Sequence, residues 1–155
     1  MGTLQFPRAD AYWWRKPLVM HGGRATTAEL AILDRELETG EQGAWLNSRG
    51  TTSGVIELVA RPTGEQKSYE TRRVRLPPFV SRTLEELYVE AKLTKGCPDL
   101  VIWRDVPQGI RLVEVKCPRW DKPSREQKKF MSVAVATGIQ TKLVEWEFEQ
   151  MGTVL

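Results

Sequence analysis

Cysteine and histidine are scarce in this chain of 155 residues, which has two cysteines and one histidine. So few thiol and imidazole groups exclude a disulfide scaffold and a zinc knuckle. We expect Cys97 and Cys117 to be reduced, partly buried small residues, with a redox-sensitive pair as the alternative. His21 has no second histidine with which to share a metal ion, so we do not expect it to be a ligand.

Long apolar runs are also missing. No stretch approaches the roughly 18 residues that a membrane span requires, and the N-terminus lacks the basic start and apolar middle of a signal peptide. We therefore expect a cytoplasmic chain that does not use a membrane. The hydrophobic content of 41% and charged content of 28% favour a single globular domain over residues 1–155. A net charge of +3 permits nucleic acid as a partner without requiring it.

Two runs of strand-forming residues dominate the second half of the chain, at Asp99–Trp103 and Arg111–Lys116. A turn-forming Pro107-Gln108-Gly109 segment joins them. The pattern predicts a largely buried β-hairpin.

This hairpin carries charged residues that a buried sheet rarely tolerates. Because side chains alternate along a strand, Glu114 and Lys116 project from one face, and the hairpin partner can bring Asp99 beside them. Burying an unpaired charge costs several kcal/mol or more. Two carboxylates and an ammonium group at one point suit a hard divalent cation with a positioned water.

These residues resemble a known family. Pro98-Asp99 followed by Glu114-Val115-Lys116 resembles the core motif of the PD-(D/E)XK nucleases. A wider set resembles the VRR-NUC branch, which includes small stand-alone viral and bacterial proteins and the nuclease domain of the Fanconi-associated nuclease. That wider set adds Trp103, Pro118, Asp121, Ser124 and Gln127. The resemblance covers about a third of the chain, from Lys95 to Glu149.

The chain departs from the family pattern in the loop after Lys116. Cys117 stands where the family usually has glycine, one residue is inserted around Arg119-Trp120, and Pro123 replaces a usual leucine. These departures affect the shape of the loop more than the metal-binding residues.

The resemblance implies an α/β fold, a restriction-endonuclease-like sandwich in which helices flank a central mixed sheet. It also implies Mg²⁺ or Mn²⁺ held by Asp99, Glu114 and the backbone carbonyl of Val115. Lys116 would orient or deprotonate the attacking water, and Gln127 would touch the lysine or the scissile phosphate. The implied activity is endonucleolytic cleavage of DNA, with junctions or flaps as substrates, and so short a chain suggests a homodimer.

Apolar spacing and capping-box patterns predict three helices, over Thr26–Glu38, Thr83–Leu93 and Ser124–Thr137. A strand over Thr141–Phe148 closes the fold. In the first helix the Thr26 to Glu29 spacing is that of a capping box. In the third, Gln127 has the same spacing from Ser124.

The fold that the chain resembles usually places a further glutamate on the helix before the sheet. Glu29 and Glu36 of the first helix are candidates, and Glu86 and Glu90 of the second helix compete with them. The order of helix, strand and Asp-bearing strand favours Glu29, for which helix capping is an equally good explanation.

Residues 1–80 carry an N-terminal extension and a hairpin insertion. The insertion is predicted as strands at Val55–Arg61 and Ser68–Leu76 around Pro62-Thr63-Gly64. Arg73 and Arg75 share a face of its second strand, where they contact phosphate or are simply solvated. The aromatic and basic segment Tyr12–Lys16 either stacks on bases or packs against the domain or a second subunit.

Further basic residues follow the active-site strand. Arg119, Lys122 and Lys128 are candidate DNA contacts. A partner-dependent nuclease and a non-catalytic nucleic-acid-binding module remain alternatives to a self-sufficient enzyme, and a purely structural Glu114–Lys116 ion pair is a third.

Overall fold

The structure is a computed structural model. It describes residues 2–13, 16–46, 55–60 and 69–150, with the backbone alone for residues 13, 55–60 and 69–74. In chain order the elements are β1 (Leu4–Phe6), β2 (Arg8–Trp13), β3 (Lys16–His21), β4 (Arg24–Thr26), α1 (Ala28–Glu36), β5 (Glu41–Trp45), β6 (Val55–Ala60), β7 (Tyr69–Val74), α2 (Pro78–Ala91), β8 (Leu100–Asp105), β9 (Gln108–Lys116), α3 (Arg125–Ala136) and β10 (Gln140–Phe148).

A five-stranded mixed sheet lies at the centre, in the order β1-β10-β9-β8-β5. The predicted β8–β9 hairpin is confirmed: its strands are antiparallel, with Leu100 opposite Val113 and Asp105 opposite Gln108. β5 pairs antiparallel with β8, whereas β10 runs parallel to β9 and β1 runs parallel to β10. Two smaller antiparallel sheets are formed by β2-β3-β4 and by β6-β7.

Helices cover both faces of the central sheet. Successive apolar side chains along its strands point to opposite faces, so both faces are apolar. On one face, Leu100 and Ile102 of β8 pack with Ala31 and Ile32 of α1. On the other face, the intervening residues pack against α2 and α3. That second core includes Val101, Trp103, Leu112, Leu84, Leu87, Phe130 and Ala134. The sandwich predicted from the sequence is therefore confirmed.

The third helix has its predicted ends, and the first two begin elsewhere. Ser124 caps α3 in a complete capping box with Gln127. In α1, Thr27 rather than Thr26 is the N-cap, since its side chain accepts from the N–H of Leu30. The prediction of a capping box formed by Thr26 and Glu29 is therefore wrong.

The second helix starts five residues before the predicted position, at Pro78. Proline suits a first helical turn because that turn leaves backbone N–H groups without an intrahelical acceptor. Thr83 lies inside the helix and donates to the carbonyl of Phe79 instead of capping.

The N-terminal region contains strands that the sequence patterns do not predict. β1 to β5 all precede Val55, and β1 and β4 have three residues each. Strands this short carry too few side chains for an alternating pattern. The strands of the predicted hairpin insertion are confirmed as β6 and β7, while its turn at residues 62–64 lies outside the described residues. The assignment of residues 1–155 to one domain stays a prediction.

Within the described ranges, no helix has the length and apolar character needed to cross a membrane.

Candidate active site

Asp99 lies just before β8 and is fixed through both its side chain and its backbone. Its Oδ2 accepts a hydrogen bond of 2.8 Å from the N–H of Val115. Its carbonyl accepts a bond of 2.7 Å from the N–H of Leu46, directly after β5. The hairpin register continues to this point, so Asp99 stands beside Glu114 on the neighbouring strand.

Glu114 and Lys116 occupy alternate positions of β9 and face α2 and α3. Both are buried, with 2% and 6% of their surface exposed. Lys116 Nζ lies 2.9 Å from Glu114 Oε1 and 3.5 Å from Asp121 Oδ2. The second oxygen of Glu114, Oε2, is buried and finds no hydrogen-bond donor among the described residues. This carboxylate is thus only half satisfied by the protein.

Gln127 joins the first turn of α3 to this group. Its Nε2 donates to Glu114 Oε1 at 3.1 Å. Its Oε1 accepts from the N–H of Ser124 at 2.8 Å, and Ser124 Oγ accepts from the N–H of Gln127 at 3.1 Å. The capping role and the contact with the charged group therefore coexist in one side chain.

Acidic side chains outnumber basic ones around Lys116. Burial, followed by the neighbouring Asp99, raises the pKa of Glu114 to about 9, although Lys116 opposes this. Burial lowers the pKa of Lys116, but Glu114, Asp99 and Asp121 outweigh it and the pKa is raised. Three carboxyl groups thus face one ammonium group at this point.

The residues present fit a hard divalent cation. Added positive charge would relieve the crowding of Asp99 and Glu114, and Glu114 Oε2 offers an oxygen that no protein donor uses. The described part of the chain holds no group of three or more His, Cys, Asp or Glu side chains arranged around a metal position.

Glu29 lies in the first turn of α1, on the opposite face of the sheet from α3. It is buried, with 7% of its surface exposed, and its ion-pair partner is Lys16. Lys16 Nζ lies 5.5 Å from the centre of the Trp45 ring, and Trp45 pairs with Leu100, the residue after Asp99. Glu29 is thus near the sheet end that carries Asp99, but its ion pair is with Lys16.

The competing glutamates have other surroundings. Glu36 pairs with Lys142 at 2.7 Å and lies 3.9 Å from Arg111. Glu86 and Glu90 are exposed on α2.

The predicted DNA contacts divide into two groups. Arg119, Lys122 and Lys128 are exposed in the loop after β9 and the first turn of α3, next to Lys116 in the chain. Arg75 is exposed directly after β7, whereas the side chain of Arg73 lies outside the described residues.

Both cysteines are buried thiols outside any disulfide, as expected. Burial raises the pKa of Cys97 to about 11 and also raises that of Cys117. Since the thiolate is the reactive form, neither thiol is activated.

Two residues near this site escaped the sequence patterns. Lys16 was grouped with an aromatic segment, and only the tertiary structure pairs it with Glu29. Trp120 stands in the loop after Lys116 with 57% of its surface exposed. The inserted position at Arg119-Trp120 is the one sequence signal that singles it out.

A mixed sheet between helices, with an Asp–Glu–Lys group on its central hairpin, is a fold of the PD-(D/E)XK type. Residues 44–145, about two thirds of the chain, match the family model of the VRR-NUC domain. The chain belongs to the VRR-NUC domain family. The match begins after Glu29, at Ala44 near the end of β5, and it includes the hairpin insertion and α2.

A comparison with solved structures finds complexes of paFAN1. The crystal structure of paFAN1 bound to 1nt 5′flap DNA with gap matches 97% of this chain and 39% of that chain, with 12% identity and a TM-score of 0.52. The complex with 2nt 5′flap DNA with gap matches 50% of this chain and 14% of that chain, with 20% identity and a TM-score of 0.38. The chain therefore spans well under half of the paFAN1 chains. No curated protein matches it.

Proposed function

We propose that the chain is a metal-dependent DNA endonuclease that hydrolyses phosphodiester bonds with Mg²⁺ or Mn²⁺ as its cofactor. The observation that carries this proposal is the convergence of Asp99, Glu114 and Lys116 on one buried point of the β8–β9 hairpin. A purely structural ion pair would need one carboxylate, whereas the chain places a second carboxylate against it at a cost in free energy.

Asp99, Glu114 and the carbonyl of Val115 would hold the cation. When bound, it supplies positive charge for the phosphoryl oxygens and acidifies a water molecule. Asp99 is held by the Val115 N–H, and Glu114 is held by Gln127, so both carboxylates are positioned before substrate binds. Glu29 is proposed to extend the site toward a second metal or the water network.

Lys116 has two possible roles in hydrolysis, and its surroundings favour one of them. The carboxylates around it raise its pKa, which keeps the amine protonated. A protonated Lys116 would orient the attacking water and stabilise negative charge that develops on the phosphate. It would act as a base only after the charge of a bound cation had lowered its pKa.

The substrate is proposed to be DNA with a branch or a flap. Exposed Arg119, Lys122 and Lys128 border the active-site strand and would contact the phosphate backbone, as would Arg73 and Arg75 of the insertion. The structurally similar paFAN1 is bound to 5′flap DNA. Such a substrate would place the protein inside the cell.

The decisive experiment is cleavage of a labelled panel of four-way junction, flap, duplex, single-stranded DNA and RNA with Mg²⁺ or Mn²⁺. Lys116→Ala is expected to lose activity by at least about 100-fold, the usual effect of removing a preorganised charge from an active site. Lys142→Ala is the matched control, because it removes an ammonium group that pairs with Glu36.

Equal rates for wild type and Lys116→Ala would contradict the assignment of the site. A folded wild type that cleaves nothing would favour a partner-dependent nuclease or a non-catalytic binding module.

A homodimer is proposed because one active site must be paired with another to cut both strands of a duplex. Sedimentation equilibrium distinguishes it from a monomer of 17.7 kDa.

A further inference from the structure

Trp120 is a large aromatic side chain left open to solvent in the loop that follows the candidate active-site strand. It follows Lys116 by four residues in the loop between β9 and α3, and 57% of its surface is exposed. Its ring nevertheless packs on two others. The centroid lies 5.7 Å from that of Trp146, with the planes at 80°, and 5.9 Å from that of Phe148. The indole is therefore supported from the protein side and open on the other.

The backbone of the loop that carries Trp120 is tied to the end of β9. The N–H groups of Trp120 and Asp121 both donate to the carbonyl of Cys117, at 3.1 and 2.9 Å. The Asp121 carboxylate in turn lies 3.5 Å from Lys116 Nζ. The turn and the ion pair thus connect this loop to Lys116. The indole itself packs on the α1 side of the sheet, whereas Lys116 faces α3.

Cationic side chains lie near Trp120. Arg119 and Lys122 are exposed on either side of it in the chain. The Arg8 guanidinium lies 5.0 Å from the centre of the Phe148 ring, which contacts Trp120. Of the nearby acidic residues, Asp121 is engaged with Lys116 and Glu147 accepts a hydrogen bond from Gln5. An exposed aromatic face among cations is the combination that binds single-stranded nucleic acid.

We propose that Trp120 is a stacking platform for an unpaired nucleobase of the bound DNA, and that it determines the preference of the chain for DNA with a single-stranded arm. In a continuous duplex both faces of each base are covered by its neighbours, so only a terminal, flipped or flap base can stack on a fixed indole. This inference rests on the proposed nuclease function. Trp120 lies where the chain departs from the family pattern, so the proposed stacking contact belongs to this chain's own loop.

The test separates base stacking from backbone binding. Two labelled duplexes carry the same short single-stranded arm, and in one of them every base of the arm is replaced by an abasic spacer. Affinities are measured by fluorescence anisotropy in Ca²⁺ for wild type, Trp120→Ala, Trp120→Phe and Val89→Ala. Val89 is the matched control because it is an apolar side chain with 78% exposure on α2. Thermal unfolding of each variant shows whether the aromatic packing survives.

Wild type and Val89→Ala are expected to bind the normal arm about tenfold more tightly than the abasic arm, the size of a base–aromatic stack. Trp120→Ala is expected to bind both arms equally, and Trp120→Phe to keep part of the difference. Equal affinities for wild type would overturn the proposal even if Trp120→Ala did not fold. An unchanged ratio in a folded Trp120→Ala would also overturn it, and would leave Trp120 as a packing residue or a protein contact.

Failure of this inference differs from failure of the proposed function. An enzyme that cleaves through Lys116 but shows no dependence on the bases of the arm contradicts the stacking platform alone. Loss of cleavage in every condition, with the base dependence intact, contradicts the nuclease and leaves a binding surface.

Discussion

Gln127 donates a 3.1 Å hydrogen bond from Nε2 to Glu114 Oε1 while its own Oε1 accepts from the N–H of Ser124. The residue that closes the capping box of α3 is thus also the residue that orients a candidate metal ligand. Helix α3 and the buried end of β9 are coupled through one amide group.

Two substitutions separate the capping role of Gln127 from its contact with Glu114. Ser124→Ala removes the side-chain cap and should lower the free energy of unfolding by about 1 kcal/mol while most of the cleavage rate remains. Gln127→Ala should cost a similar amount of stability. It should also lower the cleavage rate, because Glu114 loses the hydrogen bond from the Gln127 amide. Urea unfolding and single-turnover cleavage measure the two effects. Equal losses of activity in both variants would show that the cap, and not the Glu114 contact, matters for catalysis.

Metal binding should stabilise the folded chain through Asp99. At a metal concentration of 100 times the dissociation constant, Mn²⁺ should add about 2.7 kcal/mol to the free energy of unfolding. This stabilisation by Mn²⁺ should vanish in Asp99→Ala. The control Glu85→Ala removes an exposed carboxylate of α2 and should keep the stabilisation. Differential scanning fluorimetry with Mn²⁺ and with EDTA measures the stabilisation as a shift of the unfolding temperature. A full shift in Asp99→Ala would place the metal elsewhere.

Asp99→Asn offers a related measurement without metal. Its amide oxygen can still accept from the Val115 N–H, and the negative charge of Asp99 that helps to raise the pKa of Glu114 is gone. The variant should therefore be at least as stable as the wild type in EDTA while losing cleavage activity. A marked loss of stability would indicate that the Asp99 charge is needed by the fold.

The Glu29–Lys16 ion pair decides whether Glu29 serves the fold or the reaction. Lys16→Met leaves the Glu29 carboxylate buried without its partner and should cost about 1–3 kcal/mol of stability. The double variant Lys16→Met, Glu29→Gln should recover most of this loss. If Glu29 also serves catalysis, Glu29→Gln alone loses cleavage while remaining folded. An unchanged cleavage rate would make Glu29 a structural residue.

An acid-sensitive contact joins β5 to β9, where Arg111 Nη2 donates to Glu41 Oε1 at 2.8 Å. The hydrogen bond from Arg111 lowers the pKa of Glu41 to about 2. The unfolded chain titrates nearer 4.5, so this stabilisation is present above that pH and is lost as the pH falls toward 2.

The corresponding measurement is urea unfolding of wild type and Glu41→Gln at pH 6 and pH 2.5. The wild type should be the more stable protein at pH 6, and the difference should shrink at pH 2.5. Glu85→Gln, which changes an exposed glutamate, should show no such change with pH. A difference that stays constant would show that the Glu41 charge does not contribute.

The β8–β9 hairpin and the meeting of Asp99, Glu114 and Lys116 were predictable because they depend on local rules. Alternation along a strand fixes which side chains share a face, and a two-strand hairpin fixes its own register. Helix caps were predictable only in part. The threonine-to-glutamate spacing marks a helix start near Thr26, but Thr27 offers its hydroxyl at the next position and is the residue that caps. The same spacing at Thr83 does not mark a helix start, because α2 begins earlier, at Pro78.

The sequence by itself determined the alternation that buries Glu114 and Lys116 together, the capping box at Ser124, and the family motif. Each of these is decided by residues a few positions apart. Only the tertiary structure decided that β1 pairs with β10 at the far end of the chain, that Lys16 neutralises Glu29, and that Trp120 stays exposed on Trp146 and Phe148. The physical reason is that burial, ion pairing and the pKa of a carboxyl group depend on which distant surfaces meet, and no local pattern records that meeting.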